Sequence, residues 1–594
     1  MESLNIARGA TATPRTAPPP CTVTLPTQLH PNPRLLHHRN TTNKTKPRHV
    51  SCRGAIDRRD VLLGIGCAAA AAGMAATNTN TSLAAPIQAP DLGECHEAVD
   101  VPPTAPEIPN CCPTYVPGRT VTVDFAPPPP YSPLRVRPAA HLVDRAYLAK
   151  YERAVSLMKA LPDDDPRSFA QQWRVHCAYC DGAYDQVGFP GLEIQIHSCW
   201  LFFPWHRMYL YFHERILGKL IGDDTFALPF WNWDAPAGMS FPAIYANRSS
   251  PLYDPRRNQA HLPPFPLDLD YSGTDTTLPK DQLIDQNLKI IHVMNMVYFI
   301  FQMISGARKA ELFIGQPYRA GDEPDPGAGS IELVPHNPVH QWTGDPRQPN
   351  GEDMGIFYSA ARDPVFFAHH GNVDRMWQIR RALLFPGATD IPDPDWLDAE
   401  FLFYDEDARL VRVRVRDTLD AAALRFAYQD VGPLPWLDAR PAKGSAGTPA
   451  PATGGAFPAA LSTTVRVAVA RPRTSRSRKE KEEEEEVLVV EGIEVPDHSA
   501  YVKFDVFVNA PEDGGAATAA AGTCAGSFAM SPHGVHRGGG REGSTARKTV
   551  ARFGICDLLD DIGADGDETV IVSIVPRCGC DSVTVAGVSI GYVK

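Results

Sequence analysis

Two stretches of sequence decide the fold: residues 332–342, Glu-Leu-Val-Pro-His-Asn-Pro-Val-His-Gln-Trp, and residues 363–375, Asp-Pro-Val-Phe-Phe-Ala-His-His-Gly-Asn-Val-Asp-Arg. His336 and His340 are four residues apart, so they share one face of a helix and can bind one metal ion together. Asp363 followed by proline predicts the start of a second helix. Either His369 or His370 on that helix can point to the same ion, and three imidazoles leave room for an external ligand.

A second group of histidines precedes the first stretch and consists of His176, His197 and His206. Carboxylates are sparse near both groups. Imidazole-only ligation suits copper, zinc, iron or nickel, whereas di-iron bundle proteins usually supply several glutamate ligands. Two all-histidine sites on bundle helices therefore favour a pair of copper ions.

Four motifs together resemble those of plant polyphenol oxidases (catechol oxidases), members of the tyrosinase and haemocyanin superfamily of type 3 copper proteins. They are the two histidine motifs, the Asp395-Trp-Leu397 block and the Lys503-Phe-Asp-Val506 block, and the resemblance extends from about Pro86 to the C-terminus. Such a combination is more specific than a single short motif. It implies oxidation of o-diphenols to o-quinones with reduction of O2 to water. The implied ligands of the two copper ions are His176, His197, His206, His336, His340 and His370, with His369 beside them.

The resemblance also implies roles for residues around the copper ions. Glu332 and Asn337 match positions that hold a water able to deprotonate an incoming phenol, which favours some hydroxylation of monophenols. The alternative for Asn337 is turn chemistry before the following proline. Phe357 matches an aromatic gate above the second copper, with ordinary core packing as the alternative. The candidates for a dry aromatic pocket are Trp205, Phe357 and Phe367.

Cysteine positions carry further expectations under the same resemblance. The implied bonds are disulfides between Cys95 and Cys112 and between Cys111 and Cys177, and a thioether between Cys180 and His197. The thioether would restrict the His197 ring and hold its copper site rigid. Cys199 is a conceivable alternative partner, although a small buried side chain is its favoured role.

The N-terminal 85 residues have the composition of targeting segments. Residues 1–54 are rich in threonine, proline, arginine and histidine, with a single acidic residue, which is typical of a chloroplast transit peptide. In residues 55–85 a twin arginine precedes a short apolar run, which predicts a signal for the thylakoid lumen. The net charge of −12 disfavours nucleic acid as a partner. No later stretch predicts stable membrane insertion.

Helical periodicity predicts a mainly α four-helix-bundle dicopper core over residues 140–388, after a disulfide-held arm at 86–139. The four predicted helices cover residues 141–160, 200–220, 288–304 and 363–384. Residues 236–280, rich in proline, aspartate and serine, predict a long surface loop. His213 and His292 are predicted to be core residues without bound metal.

The remainder of the chain predicts a second domain of different class. Residues 389–440 match the family's connector, and residues 441–486 predict a linker that ends in an acidic run. Alternating apolar residues over 487–594 predict a C-terminal β-sandwich domain. The resemblance implies that this domain covers the copper site and keeps the enzyme latent until proteolysis removes it.

A glycine- and alanine-rich stretch interrupts the predicted sandwich. Residues 514–548 predict a low-complexity insertion with little fixed structure. His533 and His536 lie inside it, and we expect both to be solvated rather than bound to metal.

Two other classes of function use similar ligands. A haemocyanin-like oxygen-binding protein would keep the same histidines without oxidising phenols, and the chloroplast-type leader disfavours it. A zinc hydrolase would be colourless. The expected partners are O2 and small phenolic substrates, with an import machinery and an activating protease, and the oligomeric state stays open.

Overall fold

The targeting segments lie outside the residues that the structure describes. The computed structural model describes residues 85–98, 100–101, 110–296, 310–348, 352–384, 391–443, 449–453, 456–512, 518–533, 535–536 and 547–593. Within these ranges, no helix combines the length and apolar character needed to cross a membrane.

Helices form the part of the chain that carries the histidine motifs. They are α1 (Arg145–Lys159), α2 (Phe169–Cys180), α3 (Phe202–Ile221), α4 (Lys280–Met296), α5 (Ala310–Ile314), α6 (Asn337–Thr343), α7 (Phe357–Ala360), α8 (Val365–Leu384) and α9 (Pro394–Leu397). Helix α3 packs against both α1 and α8. The predicted helical core is confirmed. Helix α2 was not predicted, because its sequence lacks a regular apolar stripe.

Side-chain caps set the start of two helices that carry histidines. The Ser168 hydroxyl accepts a hydrogen bond from the Gln171 N–H at the start of α2. At the start of α8, Asp363 Oδ1 accepts from the Val365 N–H at 2.8 Å, as its position before proline predicts. The same carboxylate binds the buried guanidinium of Arg257, with an Nε–Oδ2 distance of 2.6 Å. Because Arg257 belongs to the predicted surface loop at 236–280, that segment is irregular but partly buried.

Short strands join the N-terminal arm to the connector. The strands before the C-terminal domain are β1 (Asp100–Val101), β2 (Thr122–Asp124), β3 (Arg135–Arg137), β4 (Asp185–Gln186), β5 (Phe189–Glu193), β6 (Glu400–Tyr404), β7 (Leu410–Arg414) and β8 (Phe426–Tyr428). Strand β2 pairs in parallel with β7, and β3 pairs in parallel with β8. The arm is therefore hydrogen-bonded to a segment almost 300 residues later in the chain.

Two packed sheets make up the C-terminal domain, so the predicted β-sandwich is confirmed. Its strands are β9 (Ala459–Ala460), β10 (Val465–Ala470), β11 (Glu485–Val495), β12 (Val502–Val508), β13 (Cys524–Met530), β14 (Val535–His536), β15 (Arg547–Gly554), β16 (Thr569–Cys578), β17 (Thr584–Val585) and β18 (Gly587–Val593). One sheet has the order β10-β16-β12-β13. The other has the order β15-β11-β17-β9, with β18 also paired to β11. The helices α10 (Arg478–Glu483) and α11 (Cys556–Asp561) lie between strands.

The structure corrects the predicted linker at residues 441–486. Strand β10 pairs with β16 over its full length, and its three valines point into the core. The acidic run is not an exposed loop, because it forms α10 and the start of β11. Glu486 is 1% exposed and binds Arg471 through two hydrogen bonds. A buried arginine partner explains why charged residues lie inside this domain.

The predicted insertion at residues 514–548 is also corrected in its middle. Strand β13 lies there, and all seven of its residues are buried. Its small residues fit against neighbouring side chains, and a Cβ atom on Gly526 would lie 2.5 Å from the Phe553 ring. A strand of small residues has no alternating apolar signal, which is why its composition resembles that of a flexible insertion.

Candidate metal centre

His176, His197 and His206 form one cluster of buried imidazoles. His176 is on α2, His206 is on α3, and His197 is in the loop that precedes α3. One ring nitrogen of each lies within 4.8 Å of the others. None is more than 2% exposed. The structure therefore brings together the three histidines predicted for the first site.

A second cluster contains four histidines. His336, His340, His369 and His370 each place a ring nitrogen within 4.8 Å of the others, and all four are buried. His336 ends the π-helical turn Glu332–His336, His340 is on α6, and the remaining two are on α8. The predicted ligands of the second site are brought together, and His369 lies among them.

Backbone carbonyl oxygens hold several of these rings in one tautomer. The pairs are His176 Nδ1 with the Phe357 oxygen at 3.1 Å, His206 Nδ1 with the Phe202 oxygen at 2.7 Å, and His340 Nδ1 with the Met354 oxygen at 2.8 Å. A carbonyl oxygen only accepts, so each Nδ1 carries the proton and each Nε2 keeps a lone pair. Among the described residues, Nε2 of His176, His206 and His336 has no hydrogen-bond partner. Buried lone pairs aimed at a shared point are what metal ligands require.

The two clusters adjoin each other through His370. Its Nε2 lies 3.3 Å from His340 Nε2, so the two rings face one position. Its ring also stacks on that of His206, with centroids 4.2 Å apart and planes 11° apart. The nearest aromatic contact of His369 outside the cluster is Trp233, at 6.3 Å between centroids. His370 therefore occupies the boundary between the clusters.

Burial keeps the imidazoles uncharged. Burial lowers the pKa of His206 to about 3 and the pKa of His340 to about 4. For His197, burial and the neighbouring imidazoles lower the pKa well below its usual range. Neutral imidazole is the form that binds metal, so the clusters fit two metal ions with nitrogen ligands.

Known protein families match the part of the chain that contains the two histidine clusters and the two regions that follow it. The common central domain of tyrosinase matches residues 166–383, the polyphenol oxidase middle domain matches 390–442, and the chloroplastic polyphenol oxidase C-terminal domain matches 457–592. The chain is 49% identical over 591 residues to a chloroplastic polyphenol oxidase of Vitis vinifera, covering 94% of each chain. The chain belongs to the polyphenol oxidase family. The two histidine clusters are accordingly a tyrosinase-type dicopper centre.

Other relatives show the range of the family. Aureusidin synthase of Antirrhinum majus is 49% identical over 517 residues, covering 85% of this chain and 88% of the relative. A solved structure of latent apple tyrosinase is 52% identical, has a TM-score of 0.71, and covers 80% of this chain and 100% of that chain. The family thus includes latent forms and enzymes named for different phenolic products.

Glu332 and Asn337 lie beside the dicopper centre but do not contact a common partner. Glu332 is buried, its Oε1 accepts from the Ser198 N–H at 2.6 Å, and its Oε2 has no partner among the described residues. Burial raises the pKa of Glu332 well above its usual range. The Asn337 amide instead donates to the Ala529 oxygen at 2.7 Å, which belongs to the C-terminal domain.

Aromatic side chains surround the imidazoles, but not all are those predicted. The Phe357 ring stacks on His197 of the first cluster at 4.1 Å, whereas its centroid is 6.3 Å from His340 of the second. This differs from the expected position above the second copper.

Trp205 contacts His206 at 4.9 Å, as a pocket residue would. Phe367 instead stacks on His213. The aromatic residues missed are Phe202, 4.8 Å from both His206 and His336, and Phe366, 4.2 Å from His370.

A segment of the C-terminal domain covers the dicopper centre. The Pro532 oxygen accepts from the Phe357 N–H at 3.2 Å. The His533 ring packs against the Phe357 ring with centroids 4.4 Å apart, and His533 is 1% exposed. The expectation that His533 is solvated is wrong, because the loop after β13 turns toward the helical core. The backbone of His536 pairs with Asp100.

Charged contacts hold the C-terminal domain on the core. Lys503 Nζ lies 2.5 Å from Asp270 Oδ1, and the lysine is 1% exposed at its side chain. Arg547 binds Asp325 at 2.6 Å and Glu193 at 3.1 Å. The lysine of the Lys503-Phe-Asp-Val506 block is therefore part of the contact between domains, which the sequence motif by itself did not show.

The cysteines beside the first cluster occupy the predicted places. The structure contains disulfides between Cys95 and Cys112 and between Cys111 and Cys177. The second joins the arm to α2 at the residue after His176. Cys180 ends the same helix and is buried.

His213 provides a pH-dependent contribution to stability. Burial lowers its pKa to about 3, and its ring stacks on Phe367 with Nδ1 3.0 Å from Gln172 Oε1. The unfolded chain protonates this residue below pH 6.5, so its contribution is complete above that pH and is lost as the pH falls toward 3. We expect about 2 kcal/mol to be lost between pH 7 and pH 5.

Urea unfolding of a His213→Gln variant checks this expectation. The metal-free variant should lose about 2 kcal/mol less than the unchanged chain between those two pH values. Equal losses would show that another group controls acid sensitivity.

Proposed function

We propose that this chain oxidises o-diphenols to o-quinones with reduction of O2 to water, at copper ions held by His176, His197, His206, His336, His340 and His370. The observation that carries the proposal is the set of buried imidazoles in two adjoining clusters, in each of which one ring nitrogen of every histidine lies within 4.8 Å of the others. The bound copper pair supplies the exchange of electrons between the phenol and O2. The protein contributes rigid placement of ligands, a dry aromatic surround and a group that accepts protons.

Glu332 is the proposed proton acceptor. It is a buried carboxyl group with one oxygen available beside the centre, and a carboxyl with a raised pKa matches the task of taking a proton from a phenol. Asn337 would help Glu332 to hold a water that passes this proton on, once the C-terminal domain no longer holds its amide. Because a phenol that has lost its proton can bind to the copper ions, we include hydroxylation of some monophenols in the proposal.

The choice between His369 and His370 gives a direct prediction. His370 faces His340 at 3.3 Å, so we expect His370→Ala to bind about one copper per chain instead of two and to lose nearly all activity. His369→Ala is the matched control, and it should retain two coppers. Copper is measured by elemental analysis after dialysis. The opposite pattern would assign the ligand to His369.

The thioether between Cys180 and His197 remains a prediction. Both residues are buried in the first cluster region, where a bond would restrict one ligand ring. Formation of the bond removes two hydrogens, so intact mass spectrometry should find the chain about 2 Da lighter than a Cys180→Ser variant after correction for the substitution. A mass without this loss would contradict it.

Latency is proposed to result from the segment Ala529–His533. Its carbonyl oxygens accept from Asn337 and from the Phe357 N–H, and the His533 ring covers Phe357. The matched family domains end at residue 442 and resume at 457, and described residues between them are mostly exposed. We place the activating cut there, rather than in the acidic run.

One experiment tests function and latency together. Copper content and catechol turnover are measured on the chain that begins near Ala85, before and after limited proteolysis. Two coppers per chain and quinone formation that rises after cutting support the proposal. Copper with no turnover even after cutting would favour a haemocyanin-like oxygen-binding protein, and bound zinc would contradict the proposal.

We also propose that the mature chain resides in the thylakoid lumen. The support is the twin arginine and short apolar run within residues 55–85, and curated relatives are named chloroplastic. Import into isolated chloroplasts should yield a shortened chain that is protected from protease added to intact thylakoids. Recovery in the stroma would contradict this location.

A further inference from the structure

The segment that covers the dicopper centre presents a defined chemical group to it. His533 places a planar ring against Phe357, whose ring also stacks on His197 at 4.1 Å. The residue before it places a carbonyl oxygen 3.2 Å from the Phe357 nitrogen. The carbonyl carbon of Pro532 is joined to the His533 ring through one nitrogen and two carbons, namely N, Cα and Cβ of His533. The same connection exists wherever an aromatic residue follows another residue in a peptide.

Two hydrogen-bond donors of the catalytic part receive this segment. One is the Phe357 N–H, which donates to Pro532, and the other is the Asn337 amide, which donates to Ala529 at 2.7 Å. The amide oxygen of Asn337 also accepts from the Ser531 hydroxyl at 3.3 Å. Both donors are buried while the C-terminal domain is in place, and its removal leaves them without these acceptors. A substrate that supplies a carbonyl oxygen at the same place would replace the lost contact.

We propose that the uncovered site prefers catechols of the N-acyl-2-arylethylamine class, such as N-acyldopamines and peptides with a dopa residue. The inference rests on the proposed oxidation of o-diphenols and names the substrate class of that site. In such a compound the catechol ring takes the place of the His533 ring, and the acyl oxygen takes the place of the Pro532 oxygen. A peptide adds a second carbonyl group for Asn337.

The chemistry is the same balanced oxidation for every member of the class. Each catechol gives up two electrons and two protons and becomes an o-quinone. Two catechols reduce one O2 to two waters. The amide group is unchanged, so its effect is on binding and orientation of the ring.

Three catechols, two of them isomers, test the inference on the copper-loaded mature chain after limited proteolysis. They are N-acetyldopamine, its reversed-amide isomer N-methyl-3-(3,4-dihydroxyphenyl)propanamide, and 4-ethylcatechol, which lacks an amide. The isomer contains the same atoms but moves the carbonyl group one bond closer to the ring. We expect kcat/KM for N-acetyldopamine to exceed both others by about fivefold, the value of one neutral hydrogen bond.

A peptide probe examines the second donor. The pentapeptide N-acetyl-Ala-Met-Ser-Pro-dopa-amide repeats residues 529–532 and ends in a catechol. Its kcat/KM should exceed that of N-acetyldopamine, and Asn337→Ala should lower the value for the peptide about fivefold more than the value for N-acetyldopamine. This ratio separates contact with the carbonyl group from any general effect of the substitution on oxidation.

The outcomes separate this inference from the proposed function. Turnover of 4-ethylcatechol at a kcat/KM equal to those of the two amides would overturn the substrate class alone. An equal loss for peptide and N-acetyldopamine in Asn337→Ala would remove the role of that amide. Absence of turnover with all probes in copper-loaded, cut protein would overturn the proposed function and the inference together.

Discussion

Replacing Asp270 by asparagine is expected to raise the proposed catechol-oxidising activity of the uncut mature chain by about 100-fold. Asp270 Oδ1 lies 2.5 Å from Lys503 Nζ across the contact between domains, and the lysine side chain is 1% exposed. Burial would lower the pKa of Lys503, but the carboxylates of Asp505 and Asp270 outweigh it and raise that pKa above its usual range. The lysine therefore stays charged and needs its partners.

The size of the effect follows from the cost of breaking a buried ion pair. Removing one partner costs about 3 kcal/mol or more, and 1.4 kcal/mol corresponds to a factor of ten in an equilibrium constant. Because Lys503 keeps Asp505 of its own domain at 3.7 Å, the C-terminal domain should remain folded while its contact with the core weakens. The measurement is catechol turnover before and after limited proteolysis.

The matched control makes the same chemical change outside the contact. Glu494 pairs with the exposed Lys548 at 3.4 Å within the C-terminal domain, so Glu494→Gln should leave the uncut chain as latent as before. The prediction fails if Asp270→Asn leaves the uncut chain equally latent while proteolysis still activates it.

Replacing Asp374 by asparagine is expected to lower the free energy of unfolding by about 3–5 kcal/mol and to reduce copper retention. Asp374 is on α8, four residues after His370, and its Oδ1 lies 2.6 Å from Nε of the fully buried Arg207. Arg207 follows His206 on α3. This ion pair therefore joins the two helices that carry ligands of the two clusters.

Further contacts make the Asp374 carboxylate hard to replace. Its Oδ2 lies 3.4 Å from the Arg137 guanidinium and accepts from the Tyr428 hydroxyl. Glu214 Oε2 also binds Arg137, at 2.9 Å from its Nε. A neutral amide would leave buried guanidinium groups with less compensating charge, which explains the large expected cost.

Urea unfolding of the metal-free chain and copper analysis after dialysis measure the two effects. Asp407→Asn is the matched control, because Asp407 pairs with Lys219 on the same helix α3 and both side chains are exposed. That change should cost less than about 1 kcal/mol. Equal stability of the two variants would show that the pair joining α3 and α8 contributes no more than an exposed one.

Local spacing in the sequence was sufficient to predict that His336 and His340 bind one metal ion together, whereas the choice of His370 over His369 came from the family resemblance. A spacing of four residues places His336 and His340 on the same side of a helical segment, whatever packs against that segment. Asp363 caps α8 by accepting a hydrogen bond from a backbone N–H two residues later. Alternating valines likewise predicted the sandwich strands. These properties depend on residues only a few positions apart, so the sequence by itself determined them.

Tertiary structure decided which residues cover and secure the centre. The contacts Asn337–Ala529 and Asp270–Lys503 join residues about 200 positions apart, and no periodic pattern records such pairs. Strand β13 was not predicted because its small residues, which allow close packing, do not alternate between apolar and polar. Whether Phe366 or Phe367 faces the imidazoles depends on the rotation of α8 against α3, which packing alone sets. The histidine pairs within the second cluster are therefore local in sequence, whereas the covering segment reaches the centre only through the packing of one domain on another.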